Sequence, residues 1–244
     1  MSTSTQEPAK STFADGRIDA LPWDELHAAL DERGFAVTPP VLRARECAQL
    51  ARLYEGGDFR SRIDMRRHGF GSGEYKYFAY PLPEPVAALR EAFYPHLATA
   101  ANRWAALLGA PGDYPGGLDA FLECCHAAGQ TRPTPLMLRY GAGDHNTLHQ
   151  DLYGEIAFPF QVVTVLSPRT DYEGGELVLV EQRPRQQSRA HVVAPDQGQF
   201  LIFATRHRPA HGTRGHYRTT LRHGVSTVSR GRRTSLGLIF HDAR

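Results

Sequence analysis

PLMLRY (135–140), TLHQDLY (147–153), FPFQVVTVL (158–166), GELVLVEQ (175–182), RAHVVAP (189–195), QFLIFAT (199–205), RTTLRHGVSTV (218–228) and RTSLGLIF (233–240) break the second half of the chain into eight short runs. They are rich in Val, Ile, Leu, Phe and Thr, and Gly, Pro and Asp turns separate them at regular spacing. Runs of this length, punctuated this way, belong to an all-β sandwich or double-sheet barrel. The expected β core therefore extends from residue 134 to residue 244.

Upstream the periodicity changes from two to about 3.6. PWDELHAALDERGF (22–35) reads as a helix with Leu26, Ala29 and Leu30 on one face and Gly34 at its C-terminal cap. GFAVTPPVL is a short strand and turn. RARECAQLARLY is a second helix, with Cys47, Leu50, Leu53 and Tyr54 at helical spacing, so Cys47 belongs to the core. Residues 55–85, with Tyr75, Tyr77 and Tyr80 among many glycines and arginines, read as loops around a short strand. A long helix then starts near Pro85, with Val86, Leu89, Phe93, Leu97, Trp104 and Leu107 on one stripe and Pro95 placed to kink it. LDAFLECCHAAG (118–129) forms a further short helix. The expected layout is a disordered tail over 1–18, a helical and loop support over 19–133, and the β core over 134–244.

The 244 residues, 41% of them hydrophobic, are enough to bury one sizeable core. Three cysteines, two of them adjacent, provide no disulfide framework, and the polar start MSTSTQEPAK lacks a signal-peptide apolar region. No apolar run is long enough to span a membrane, so a cytoplasmic enzyme or binding protein is expected. A formal charge of +2 does not by itself identify a nucleic-acid binder. Lys10 and Lys76 are the only lysines; arginine supplies the rest, notably in RSRIDMRR (60–67) and from Arg183 to Arg233. Such arginines suit phosphate, but an arginine-favouring genome would also produce them.

His149-Gln150-Asp151 is the most informative triplet. On a strand, residues i and i+2 share a face, so His149 and Asp151 would project together into the barrel. One more imidazole from a distant strand would complete a two-histidine, one-carboxylate set, which suits Fe(II) and leaves positions open. The candidates are His191, His207, His211, His216, His223 and His241. The histidines of RHRPAHGTRGH (206–216) read as loop residues. His223 is preferred because Gly231 and Arg233 follow it. A hairpin turning at Gly231 would return Arg233 beside the metal, where a buried guanidinium needs a carboxylate to grip.

With these elements in view, residues 134–240 resemble the iron(II)/2-oxoglutarate dioxygenases, and their prolyl-hydroxylase-like branch in particular. The shared order is Tyr140 and Gly143, His149 and Asp151, Glu173-Gly-Gly-Glu-Leu177, then His223, Val225, Val228, Gly231 and Arg233. Thr227 stands where that pattern usually has proline. The resemblance implies a double-stranded β-helix, the jelly-roll or cupin-like core of about eight strands, mainly β with N-terminal helices. It implies iron on His149, Asp151 and His223, and 2-oxoglutarate and O2 as co-substrates. Arg233 would hold the distal carboxylate of 2-oxoglutarate, assisted by Tyr140 and Ser235.

HQDLYGEIAFPFQVVTVLSP and LRHGVSTVSRGRRTSLGLIFHDA further resemble a bacterial oxygenase family described as acting oxidatively on damaged DNA. That implies hydroxylation of an alkyl group on a base, which needs an extruded or single-stranded nucleotide. Tyr75 and Tyr77 would stack, and Arg66 and Arg67 would contact phosphate. Two other readings remain open: a hydroxylase of a peptidyl or free amino acid or other small metabolite, and a non-catalytic binding barrel.

Overall fold

The computed structural model describes residues 13–14 and 16–244. The first half forms α1 (Trp23–Arg33), β1 (Phe35–Val37), α2 (Ala44–Gly56), β2 (Phe59–Asp64), a 3-10 turn (Met65–His68), β3 (Gly71–Ser72), β4 (Glu74–Phe78), α3 (Glu84–Leu108) and α4 (Leu118–Ala127). The second half forms β5 (Leu136–Gly141), β6 (His145–His149), β7 (Phe160–Val165), β8 (Tyr172–Gly174), β9 (Leu177–Gln182), β10 (Arg189–Val193), β11 (Phe200–Ala204), β12 (His207–Gly212), β13 (Gly215–Val225) and β14 (Val228–Ile239).

The strands build two antiparallel sheets. The major sheet runs β1-β11-β7-β14-β5-β4-β2, with β8 also on β14. The minor sheet runs β10-β9-β13-β6-β3, with β12 also on β13. Jelly-roll packing of this kind requires the major sheet to bury both faces, and its sequence pattern does so by alternation. Phe160, Val162, Phe200, Ile202, Leu236 and Leu238 face the helices, packing with Phe93, Leu97 and Trp104. Their neighbours Val165, Leu201 and Phe203 face the other way, joining Leu177, Leu179 and Val225 of the minor sheet. Trp104 meets Phe160 at 4.5 Å, and Phe93 meets Phe200 at 4.9 Å, between ring centroids. Each such fully buried side chain contributes about 1.5–3 kcal/mol, so the helical layer and the major sheet stabilise each other.

Seven of the expected runs become strands, TLHQDLY does so only as far as His149, and the mainly-β jelly roll with N-terminal helices is the fold observed. Several local expectations are corrected. Residues 55–85 hold β2, β3 and β4; β4 pairs with β5, so this segment extends the major sheet. RHRPAHGTRGH is β12 turning into β13, with His211 opposite His216. Local propensity missed it because β12 is held by one partner strand, and such an edge tolerates Pro209. The long helix expected from near Pro85 is α3, which continues past Pro95. The expected disorder over residues 1–12 and at 15 lies outside the described residues, but Ala14 and Ile18 are buried, and Arg17 bonds Glu46 at 2.6 Å.

The largest correction concerns Gly231. β13 and β14 do not form a hairpin; β13 lies in the minor sheet, β14 in the major one, and the chain crosses at Ser226–Thr227. Gly231 instead lies within β14 at φ +79°, where a Cβ would come within 1.9 Å of the Asp171 carbonyl oxygen. Close pairing with β8 at Tyr172 demands the glycine. Arg233 therefore reaches the interior from the sheet facing His223.

α3 is tied to the end of β14 by Arg90. Its guanidinium donates to the carbonyls of Ile239 and Phe240, at 3.0 and 2.7 Å, and pairs with Asp242 at 2.9 Å. Both partners are buried. Arg90→Met would leave the Asp242 carboxylate without its cation, so a loss of about 3–5 kcal/mol is expected. Urea denaturation checks this; an unchanged midpoint would refute it.

Candidate metal centre

β6 ends at His149, and Asp151 lies two residues beyond it in an irregular segment. The expected shared strand face therefore does not exist. The two side chains converge because the chain bends after β6, where the Gln150 amide donates to the Leu221 carbonyl at 2.7 Å. His223 arrives on β13 directly opposite His149 in register.

The result is a tight cluster. One donor atom from each of His149, Asp151 and His223 lies within 4.8 Å of the other two. His149 Nε2 is 3.6 Å from Asp151 Oδ1, and His223 Nε2 is 3.2 Å from Asp151 Oδ2. Neighbouring donors on an octahedral ion bonded at about 2.1 Å would be about 3 Å apart, so little adjustment is needed.

A backbone hydrogen bond sets the His149 tautomer. His149 Nδ1 donates to the Thr147 carbonyl at 2.7 Å, which leaves the Nε2 lone pair facing the cluster. The buried Gln161 amide nitrogen lies 2.9 Å from His223 Nε2. Burial holds His223 below its ordinary pKa against the raising effect of Asp151. For Asp151, burial alone would raise the pKa. The hydrogen bond and charge of His223, with His149 and Tyr153, outweigh it and hold the carboxyl well below the usual range. Two imidazoles and one carboxylate are a donor set that a divalent metal uses.

A cavity of about 210 Å3 opens beside the cluster, lined among others by Tyr75, Tyr77, Tyr140, Gln161, Arg233 and Ser235. Arg233 is 1% exposed. Its Nη1 donates to Ser235 Oγ at 3.2 Å, while Nε has no partner, and no carboxylate among the described residues pairs with it. Tyr140 Oη is likewise buried without a partner. A buried guanidinium and a buried hydroxyl, both under-satisfied, suit an anionic ligand with acceptor oxygens. The residues present thus fit both a facial metal and a dicarboxylate beside it.

Of the four residues expected to meet the substrate, two lie in this cavity and two lie elsewhere. Tyr75 and Tyr77 do line this cavity. Arg66 and Arg67 line a different basin, on the outer side of β4 and β5, where Arg66 faces Asp144 at 3.5 Å and Arg67 faces Asp64 at 3.6 Å. Sequence reasoning also missed Gln161 and Tyr153. Tyr153 donates to Asp151 Oδ1 at 2.6 Å and accepts from Tyr77 at 2.9 Å. The signals were an amide side chain inside the apolar run FPFQVVTVL, and a tyrosine two residues after the carboxylate.

A facial two-histidine, one-carboxylate cluster inside a jelly roll defines the class of non-haem iron oxygenases. Residues 73–243 match the model of a family described as "Oxygenase, catalysing oxidative methylation of damaged DNA". The chain belongs to that family. Two uncharacterized proteins of Mycobacterium tuberculosis are each 53% identical to it over 167 residues, covering 68% of this chain and 72% of theirs. Among solved structures, a prolyl-4-hydroxylase of Pseudomonas putida superposes with a TM-score of 0.55 at 15% identity, over 91% of this chain and 100% of that one. A Trichoplax adhaerens prolyl hydroxylase, solved with a hypoxia inducible factor peptide, has a TM-score of 0.57 at 17% identity, over 96% and 94%. These likenesses concern the fold. Iron(II), 2-oxoglutarate and O2 are the cofactor and co-substrates that agree with the family and this donor set. No described helix is long and apolar enough to cross a membrane.

Proposed function

We propose that this oxygenase hydroxylates an alkyl carbon on a damaged DNA base, with His149, Asp151 and His223 holding the iron. Arg233 grips the distal carboxylate of 2-oxoglutarate, with Tyr140 and Ser235 beside it. The observation that carries this reading is the coincidence, in one cavity, of the three donor atoms and an unpaired buried arginine.

The bound iron and keto acid supply the hard chemistry: O2 is reduced, 2-oxoglutarate becomes succinate and CO2, and one oxygen atom enters a C–H bond. The protein's part is positional. Tyr75 and Tyr77 form an aromatic wall, their rings 5.4 Å apart and nearly perpendicular, against which a flipped base can stack. Hydroxylation of an N-methyl group gives a hemiaminal, which splits into formaldehyde and the free N–H. The reaction proposed is therefore removal of the methyl group. The family description supports the nucleic-acid substrate.

The test is succinate and formaldehyde release over a panel of methylated single-stranded oligonucleotides, peptides and free amino acids. Equimolar formaldehyde and succinate with a methylated oligonucleotide is the expected result. Stimulation by a peptide or amino acid alone would replace the substrate assignment. Absence of any iron-dependent 2-oxoglutarate turnover would leave only a binding barrel.

Tyr153 should matter through Asp151. Tyr153→Phe removes the hydrogen bond that fixes one carboxylate oxygen, and iron affinity should fall by roughly 10- to 100-fold. Iron titration with a competing chelator measures it, and wild-type affinity would refute the role.

A further inference from the structure

Charge is strongly segregated along this chain. Between Gln182 and His241 the sequence holds eleven arginines and a single acidic residue, Asp196. The whole chain has 28 basic and 26 acidic side chains, so the remainder is net acidic and the formal +2 conceals a basic block. Part of that block is internally neutralised or already in use. Arg183 and Arg208 pair with Glu181, Arg230 pairs with Glu173, and Arg233 faces the metal cavity.

Arg206, Arg214, Arg218 and Arg222 are different. All four are exposed, and none pairs with a carboxylate among the described residues. Thr219, Leu221 and His223 are the inward, buried positions of β13, so Arg218 and Arg222 stand together on its outer face. Strand rise puts them roughly 13 Å apart. Arg214 lies in the turn between β12 and β13, and Arg206, whose carbonyl accepts from Leu221 N–H at 2.7 Å, lies alongside. Because His149 pairs with His223 across β6, exposed Leu148 shares the outer face with Arg222. The basic row thus ends on the strand that delivers a metal-cluster histidine.

The arginine-rich basin around Arg62, Arg66 and Arg67 lacks this character. Five of its six cations face Glu55, Asp64, Glu74 and Asp144, and Arg232 has no carboxylate partner among the described residues. Its charges are largely cancelled locally.

We propose that Arg214, Arg218 and Arg222, on the outer face of β13 and the turn before it, with Arg206 in the bend before β12, dock the phosphate backbone of a single nucleic-acid strand whose base enters the metal cavity. The proposal rests on the nucleic-acid reading given above. Guanidinium forks suit phosphate oxygens, and the lack of competing carboxylates leaves them free to bind.

The test is fluorescence anisotropy with an unmethylated, labelled single-stranded oligonucleotide, from 50 to 200 mM salt (about the range over which phosphate contacts are exposed). Four contacts predict a log–log salt slope of about −3. Arg214→Glu/Arg218→Glu should weaken binding at least about tenfold and flatten the slope, whereas Arg66→Glu/Arg67→Glu should change it less than about twofold. Thermal melting of each variant reports folding. The surface assignment is overturned by failure of the wild-type chain to bind the oligonucleotide, by equal losses in both double variants, or by binding to phosphatidylserine vesicles in place of DNA. Arginine-dependent binding without oxidation of methylated bases would support this surface and reject the substrate reading. Oxidation with binding insensitive to Arg214→Glu/Arg218→Glu would do the reverse.

Discussion

Asp151→Ala should lose both iron retention and 2-oxoglutarate turnover, by roughly a thousandfold or more. Asp151 is the only anion among the three clustered donors, and its two oxygens lie 3.6 Å from His149 Nε2 and 3.2 Å from His223 Nε2. Alanine leaves two neutral imidazoles, which retain a divalent ion far less well in competition with water. It also removes the acceptor of the Tyr153 hydroxyl. The measurement pairs metal content after dialysis with succinate release, and thermal melting confirms that the variant folds. His211→Ala is the matched control, because His211 sits on the exposed side of the β12–β13 hairpin against His216. It should leave both quantities unchanged. Iron retained at wild-type stoichiometry in Asp151→Ala would end the assignment of this cluster as the metal centre.

The contrast between Asp151 and His211 also shows which features were legible in the sequence. The strands were readable because burial on both faces of the major sheet leaves continuous apolar runs, as in FPFQVVTVL and QFLIFAT. His149, Asp151, His223 and Arg233 were readable because their residue types and order are chemically restrictive. The sheet switch at Ser226–Thr227 was hidden: a crossover and a hairpin need the same local flexibility, and Gly231 offered the more obvious turn. Its glycine is required by the approach of the Asp171 carbonyl, a contact between segments about sixty residues apart. β12 was hidden for a related reason, since its strand character comes from β13 and HRPAHG has little of its own. Tyr153 and Gln161 act on metal-cluster residues through single hydrogen bonds that no spacing rule announces.

Arg233→Met should have opposite effects on the free protein and on co-substrate binding. In the free protein, a guanidinium that is 1% exposed has Ser235 as its hydrogen-bond partner, an orphaned Nε and no carboxylate. Burial pushes its pKa below the ordinary arginine value, although Tyr140 and Tyr172 oppose this. Burying an unpaired cation is costly, and a methionine of similar length fills most of the same space without the charge. The variant free of 2-oxoglutarate should therefore be more stable by about 1–4 kcal/mol, a rise of several degrees in melting temperature for a chain of this size. The same change removes the fork proposed to pair with the distal carboxylate, so the KM for 2-oxoglutarate should rise roughly 100- to 1000-fold. Stabilisation of the iron-loaded protein by 2-oxoglutarate should also disappear, since that stabilisation scales with occupancy. Arg233→Lys should recover only part of the affinity, because a point charge cannot pair with two oxygens in one plane. Melting curves with and without 2-oxoglutarate, alongside succinate kinetics, read all three effects. A methionine variant that kept the wild-type KM would show that the co-substrate carboxylate is held elsewhere, and that Arg233 is buried for structural reasons alone.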